Sequence, residues 1–137
     1  MRAVLDPNVI ISALLSRGGT PAAILRAWGA GAFELFASPL LLAELERALA
    51  YPRLRSRIDE SEAAAILEWL GRSATVVPDP DEPAPQTSQD LGDDYLIALA
   101  AHQRAILVSG DRHLLALAGE LPIYAPADFL SLFTPNE

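Results

Sequence analysis

Short apolar runs alternate with stretches of helical periodicity from one end of the chain to the other. Ala3-Val4-Leu5 is a run of the buried-strand type that stops at Asp6. After a turn at Pro7, the apolar positions from Val9 to Leu15 predict a helix. Thr20-Pro21 reads as an N-cap with proline at the first helical position, opening a helix to about Trp28 that Gly29 and Gly31 stop. Phe33 to Ala37 predicts a second strand. Ser38-Pro39 repeats the cap-and-proline signal and opens a helix through Leu49, ended by Pro52. Ser61 is the expected cap of the next helix, which runs to about Leu70 and stops at Gly71, before a short strand from Ala74 to Val77.

Residues 78–92 hold Pro78, Pro80, Pro83 and Pro85 among acids and small polar residues, so a long loop is expected there. A strongly apolar helix follows from Asp93 to about Gln103, then a strand from Ala105 to Ser109 and a short helix from Asp111 to about Ala118. Pro122 to Tyr124 predicts a last strand and Pro126 to about Phe133 a last helix. Strands alternating with helices argue for an α/β fold, a parallel, doubly wound central sheet with helices on both faces. No internal repeat is visible, and 137 residues make one domain, 1–137.

In such a sheet, ligands sit outside the carboxyl ends of the strands where the strand order switches. Two acids fall there in this reading, Asp6 directly after the first strand and Asp111 two residues after the strand that ends at Ser109. Glu44 is a charge set into the largely apolar Leu40-Leu41-Leu42-Ala43-Glu44-Leu45, and Asp93-Asp94 precede the apolar run Tyr95 to Ala101. Each acid has a plain structural explanation. Asp6 and Asn8 would cap a turn, Glu44 would edge an amphipathic helix, Asp93 or Asp94 would complement a helix dipole, and Asp111 would be an N-cap. Four such positions at one end of one sheet strain the coincidence.

Clustered carboxylates repel one another and raise each other's pKa values unless a cation sits between them. Oxygen ligands without His or Cys select Mg²⁺ or Mn²⁺ over zinc, and ions held this way activate water and stabilise an in-line phosphoryl displacement. A metal-dependent phosphodiesterase acting on nucleic acid is the natural chemistry. No phosphate-cradling glycine loop, dinucleotide fingerprint or nucleophile elbow competes with it. His102 and His113 are not spaced as metal ligands; His102 reads as a helix-end cation and His113 as a polar surface residue.

Composition narrows the classes further. There is no cysteine, which excludes disulfides, thiolate nucleophiles and Cys-based metal sites. Half the residues are apolar (51%) and a fifth charged (20%), as a packed domain requires. The net charge of −8 argues against a non-specific polyanion binder, though not against an enzyme that reaches nucleic acid locally. All ten basic residues are arginine, and Arg47, Arg53, Arg55 and Arg57 fall within eleven residues, either a solvated helix end or an RNA-binding patch. An early carboxylate at Asp6 and the lack of an 18-residue apolar run predict neither secretion nor membrane spanning, and the cytoplasm is the expected compartment.

The motifs that carry these acids resemble those of a known family. Val4-Leu5-Asp6-Pro7-Asn8-Val9-Ile10-Ile11-Ser12 resembles the opening motif of PIN-domain ribonucleases, usually Leu-Asp-Thr-Asn-Val. Ser38 to Leu45 is similar to the segment bearing that family's glutamate, Asp93 to Ala100 to its third acidic motif, and Leu107 to Leu115 to its fourth, typically Val-Thr-Gly-Asp followed by Leu-Leu. Ala125 to Leu130 is similar to the usual closing segment. The likeness spans nearly the whole chain, and is closest to PIN proteins of the VapC type, regarded as toxin components of toxin–antitoxin systems.

The resemblance implies a three-layer α/β/α sandwich, Mg²⁺- or Mn²⁺-dependent cleavage of single-stranded RNA, a homodimer and a small antitoxin partner. It implies that Asp6, Glu44, Asp111 and one of Asp93 and Asp94 bind metal and the attacking water, with Asn8 and Ser109 in support through hydrogen bonds. One register of the third motif favours Asp93, the other Asp94. Pro7 stands where the family usually has Thr, which removes a hydroxyl and an N–H beside Asp6. Two other functions stay open: a catalytically weak PIN-like binding module, and a nuclease of RNA processing or structured DNA.

Overall fold

The computed structural model describes residues 1–85 and 91–133. Five parallel strands, β1 (Arg2–Leu5), β2 (Glu34–Ala37), β3 (Thr75–Val76), β4 (Ile106–Val108) and β5 (Ile123–Tyr124), stand in the order β3-β2-β1-β4-β5. Helices α1 (Pro7–Leu15) and α2 (Thr20–Gly29) join β1 to β2, and α3 (Pro39–Leu49), α4 (Pro52–Arg55) and α5 (Glu60–Ser73) join β2 to β3. A 3-10 turn (Leu91–Asp93) and α6 (Asp94–Gln103) lead into β4, α7 (Arg112–Leu115) links β4 to β5, and α8 (Pro126–Leu130) follows. The strand order reverses between β1 and β4, so the crevice at a switch point of strand order lies at their carboxyl ends.

Side-chain alternation divides the core into two layers. Ala3 and Leu5 of β1, Leu35 of β2 and Val108 of β4 face a cluster filled by α1, α2, α5 and Phe129 of α8. Val4, Phe36 and Leu107 point the other way, against Leu96, Leu99 and Leu114 of α6 and α7. A parallel sheet covered on both faces reads as continuous apolar runs, which is what β1 and β4 are. Phe33, Phe129 and Phe133 meet with ring centroids 5.0–5.6 Å apart and close the first layer over α8. Trp28 and Trp69 join α2 to α5 at 4.4 Å.

Several expected boundaries move. Gly19, not Thr20, is the cap of α2, and Pro21 is its second residue. Asp59 rather than Ser61 precedes α5, which continues through Gly71 to Ser73 because Ala63, Ile66 and Leu70 anchor it in the core. The turn of helix α4 was not expected, since Pro52 reads as a terminator; proline is equally at home in a first turn. The long loop is irregular from 78 to 83, and its residues 86–90 lie outside the described ones.

Among the described residues no single helix is long and apolar enough to cross a membrane.

Candidate functional site

Three helices start at the carboxyl edge of the sheet, and each start carries a side-chain cap. Asp6 Oδ1 accepts the Asn8 N–H at 3.0 Å at the head of α1. Ser38 Oγ accepts the Leu41 N–H at 3.3 Å at the head of α3, where Asp79 Oδ2 also takes the Leu40 N–H at 3.0 Å. Asp111 Oδ1 accepts the His113 N–H at 2.7 Å at the head of α7. The structural explanations offered for Asp6 and Asp111 are therefore correct. They are also incomplete, because the same caps bring the acids together.

The register of the sheet does the rest. Leu5 pairs with Val108, so the next positions, Asp6 and Ser109, leave adjacent strands side by side. The Asp6 N–H donates to the Val108 carbonyl at 2.9 Å, and the buried Ser109 Oγ donates to Asp6 Oδ2 at 2.8 Å. Ser109 Oγ in turn accepts the Asp111 N–H at 3.0 Å. One hydroxyl thus ties the first acidic position to the fourth. Asp6 is only 3% exposed and has no cationic partner among the described residues, which is unusual for a carboxylate.

Glu44 reaches this edge from α3. Its Oε2 accepts the hydroxyl of Tyr95, which projects from the first turn of α6. Burial is the largest influence on Asp6 and raises its pKa. The bonds from the Asn8 N–H and Ser109 oppose the rise, while the charges of Glu44 and Asp111 add to it. Tyr95 is also held well above its ordinary value, by burial first, then by its bond to Glu44 and by the charges of Glu44, Asp6 and Asp93. It remains a neutral donor. The charges of Glu44 and Asp111 thus both reach Asp6, and Asp93 acts on the tyrosine that holds Glu44.

A PIN-domain family model matches residues 2–113. The chain belongs to the PIN-domain family. The match covers most of the chain, and PIN domains are generally nucleases that use divalent metals. Across 97% of this PIN domain and 92% of the relative, the sequence is 26% identical to the uncharacterized protein MJ1680 of Methanocaldococcus jannaschii. Two solved structures share the fold. One is VapBC2 from Rickettsia felis bound to a promoter DNA fragment, at TM-score 0.60 and 12% identity over 91% of this chain and 97% of that one. The other is FitAcB from Neisseria gonorrhoeae, at TM-score 0.58 and 19% identity over 91% and 98%. The three-layer PIN architecture expected from the motifs is the one observed.

The remaining expected site residues are placed as follows. Asp93 caps α6 and Asp94 is its first residue, both half-buried at the same helix start. Asn8 contributes its backbone N–H to Asp6, while its side chain is exposed. Pro7 is buried at the first position of α1, where an N–H would have no helical partner anyway. The N–H that Asp6 uses is the one on Asn8, so the PIN motif with proline loses only the hydroxyl of the usual threonine. Arg47 ends α3, Arg53 and Arg55 lie in α4 and Arg57 follows it, all exposed; Arg55 pairs with Glu60 at 3.6 Å. Among the described residues no ion pair joins these arginines to Asp6, Glu44 or Asp111. His113 Nδ1 lies 3.6 Å from Asp111 Oδ1, too far for a hydrogen bond, and His102 faces Glu82 at 3.3 Å.

Sequence reasoning missed Tyr95 and Asp79. Tyr95 reads as the first member of an apolar helix run, and the available signal was its position directly after two acids, where a ring can be buried and its hydroxyl left to bond. The donor set suits a hard divalent cation in its chemistry: all oxygen, with Asp6 held in like-charge repulsion. Among the described residues, no group of three or more acidic or histidine side chains already stands close enough to enclose an ion.

Proposed function

We propose that this PIN domain is an Mg²⁺- or Mn²⁺-dependent endoribonuclease that hydrolyses single-stranded RNA and serves as the toxin of a toxin–antitoxin pair. The observation that carries the nuclease reading is the convergence of Asp6, Glu44 and Asp111 at the switch point, with the Asp6 pKa raised by burial and by the other two charges. Divalent ions, held by Asp6, Glu44, Asp111 and one or both of Asp93 and Asp94, would supply water activation and charge neutralisation at the scissile phosphate. Ser109 fixes the Asp6 carboxylate and, through the Asp111 N–H, the start of α7. Tyr95 keeps one oxygen of Glu44 in place by donating to it.

The toxin role draws support from the fold neighbours VapBC2 and FitAcB, which are toxin–antitoxin assemblies, and brings with it a small antitoxin partner; a homodimer is proposed from the family resemblance alone. The alternative of a catalytically weak binding module rests on the acidic balance of the chain and on Pro7. It loses weight because the hydrogen bonds around Asp6 do not need the N–H that proline lacks.

Cleavage of a fluorescent single-stranded RNA by wild type and Asp111→Asn, in Mn²⁺ and in EDTA, tests the reading. The expected result is cutting by wild type in Mn²⁺ only, reduced at least a hundredfold in the variant. A folded wild type that cuts nothing, or a variant that cuts equally well, overturns it. Loss of growth inhibition in cells expressing Asp111→Asn tests the toxin role separately.

A further inference from the structure

Beside the acidic group an open cleft of about 310 Å³ runs along the exposed side of α1. Asn8 and Ser12 of α1 line it together with Pro21, Pro126, Gly110 and Asp111. Its volume is at the small end of the roughly 300–1,000 Å³ of small-molecule sites. We propose that this cleft receives one unpaired nucleobase with its ribose, from the nucleotide adjacent to the one whose phosphate is cut. The proposal rests on the nuclease reading above and adds to it where substrate selection resides.

Charge decides which part of a nucleotide enters. No arginine lines the cleft, so it offers a phosphate no cationic side chain, whereas the neutral base and sugar need none. The walls fit the same ligand. Two half-buried proline rings, Pro21 and Pro126, offer apolar faces to a flat ring, as stacking platforms for single strands do. Asn8 and Ser12, one helical turn apart and both exposed, present an amide and a hydroxyl to the edge of a base. Neither side chain has a hydrogen-bond partner among the described residues. Asp111 belongs both to the cleft and to the acidic group, so a strand with its phosphate at the acids brings its neighbouring nucleotide to the mouth. A base seated in a one-base cleft cannot remain paired, which selects single strands.

The test compares wild type and Ser12→Tyr, whose ring fills the cleft from an exposed helix position. Binding of a fluorescein-labelled five-nucleotide RNA is measured by anisotropy in Ca²⁺, alongside a counterpart with the same backbone and no bases. Ser12→Tyr is expected to raise the Kd for the intact RNA about tenfold and to leave the abasic one unchanged. Equal weakening of both would put backbone in the cleft and overturn the proposal, as would unchanged binding of the intact RNA or failure of the wild type to bind it. Mn²⁺-dependent hydrolysis of bis(p-nitrophenyl) phosphate, a diester without a base, separates the two readings. The wild type is expected to hydrolyse it; a wild type that does not would overturn the nuclease reading, while anisotropy still judges the cleft.

Discussion

At Asp6 the backbone and the neighbouring carboxylates pull the same proton in opposite directions. The Asn8 N–H and Ser109 favour the charged form, while burial, Glu44 and Asp111 favour the neutral one and prevail. In the unfolded chain the group ionises near its ordinary value of 3.8; in the folded, metal-free protein it holds its proton to higher pH. The stability this group contributes is therefore fully present below about pH 3.8 and is lost as pH rises through the raised value. Asp6→Asn keeps an acceptor for the Asn8 N–H and removes the charge. In EDTA at pH 7 the variant is expected to unfold within about 1 kcal/mol of wild type or slightly above it, and the advantage of wild type over the variant should shrink from pH 4 to pH 7. Added Mn²⁺ should raise the melting temperature of wild type and much less that of the variant. A variant melting far below wild type at pH 7 without metal would make Asp6 a purely structural residue.

Elements show where local signals suffice. Ser38-Pro39 and Asp111 announce two helix starts and do cap α3 and α7, whereas Asp6-Pro7, read as a turn before a helix from Val9, is itself the start of α1. The strand runs Ala3 to Leu5 and Ala105 to Ser109 were legible as buried-strand segments, and with them the carboxyl-edge location of Asp6 and Asp111. Gly71 misled because the cost of a helical glycine, about 1 kcal/mol, is small beside the burial of Ile66 and Leu70 on the same helix. The Tyr95–Glu44 contact was illegible because it joins positions 51 residues apart on two helices, and nothing local pairs them. At the end of α6, which the sequence places correctly at about Gln103, the usual glycine is missing. Arg104 closes the helix in the left-handed region, at φ 53°, with its N–H on Ala101 and the Ala105 N–H on Ala100, where glycine is usual. Arg104→Gly is expected to stabilise the protein by about 0.5–1 kcal/mol, seen as a higher melting temperature in urea or heat. A lower one would show that the arginine side chain contributes more than its backbone costs.

For the molecule as a whole, the layer formed by α1, α2, α5 and α8 depends on a late, short helix to seal it. Phe129 is fully buried in α8 and meets Phe33 from the segment before β2 and Phe133 from the end of the described chain. Phe129→Ala should cost about 3–5 kcal/mol, a large share of the roughly 5–15 kcal/mol that holds such a domain together. The melting temperature should fall by roughly 10 °C or more, and a drop of under 3 °C would show that α8 is dispensable to the core. Phe129 is not among the groups that act on Asp6, so the same variant should keep its metal-induced stabilisation while folded. That separation has a genetic counterpart in the helix caps. Asparagine caps a helix as well as aspartate does, and an aspartate codon becomes an asparagine codon by one transition at its first base. Because Asp6 and Asp111 both cap helices, a chain lacking one of these two carboxylates yet still folded lies one nucleotide away from this one. Such silenced copies need no rebuilding of the scaffold to arise, or to revert.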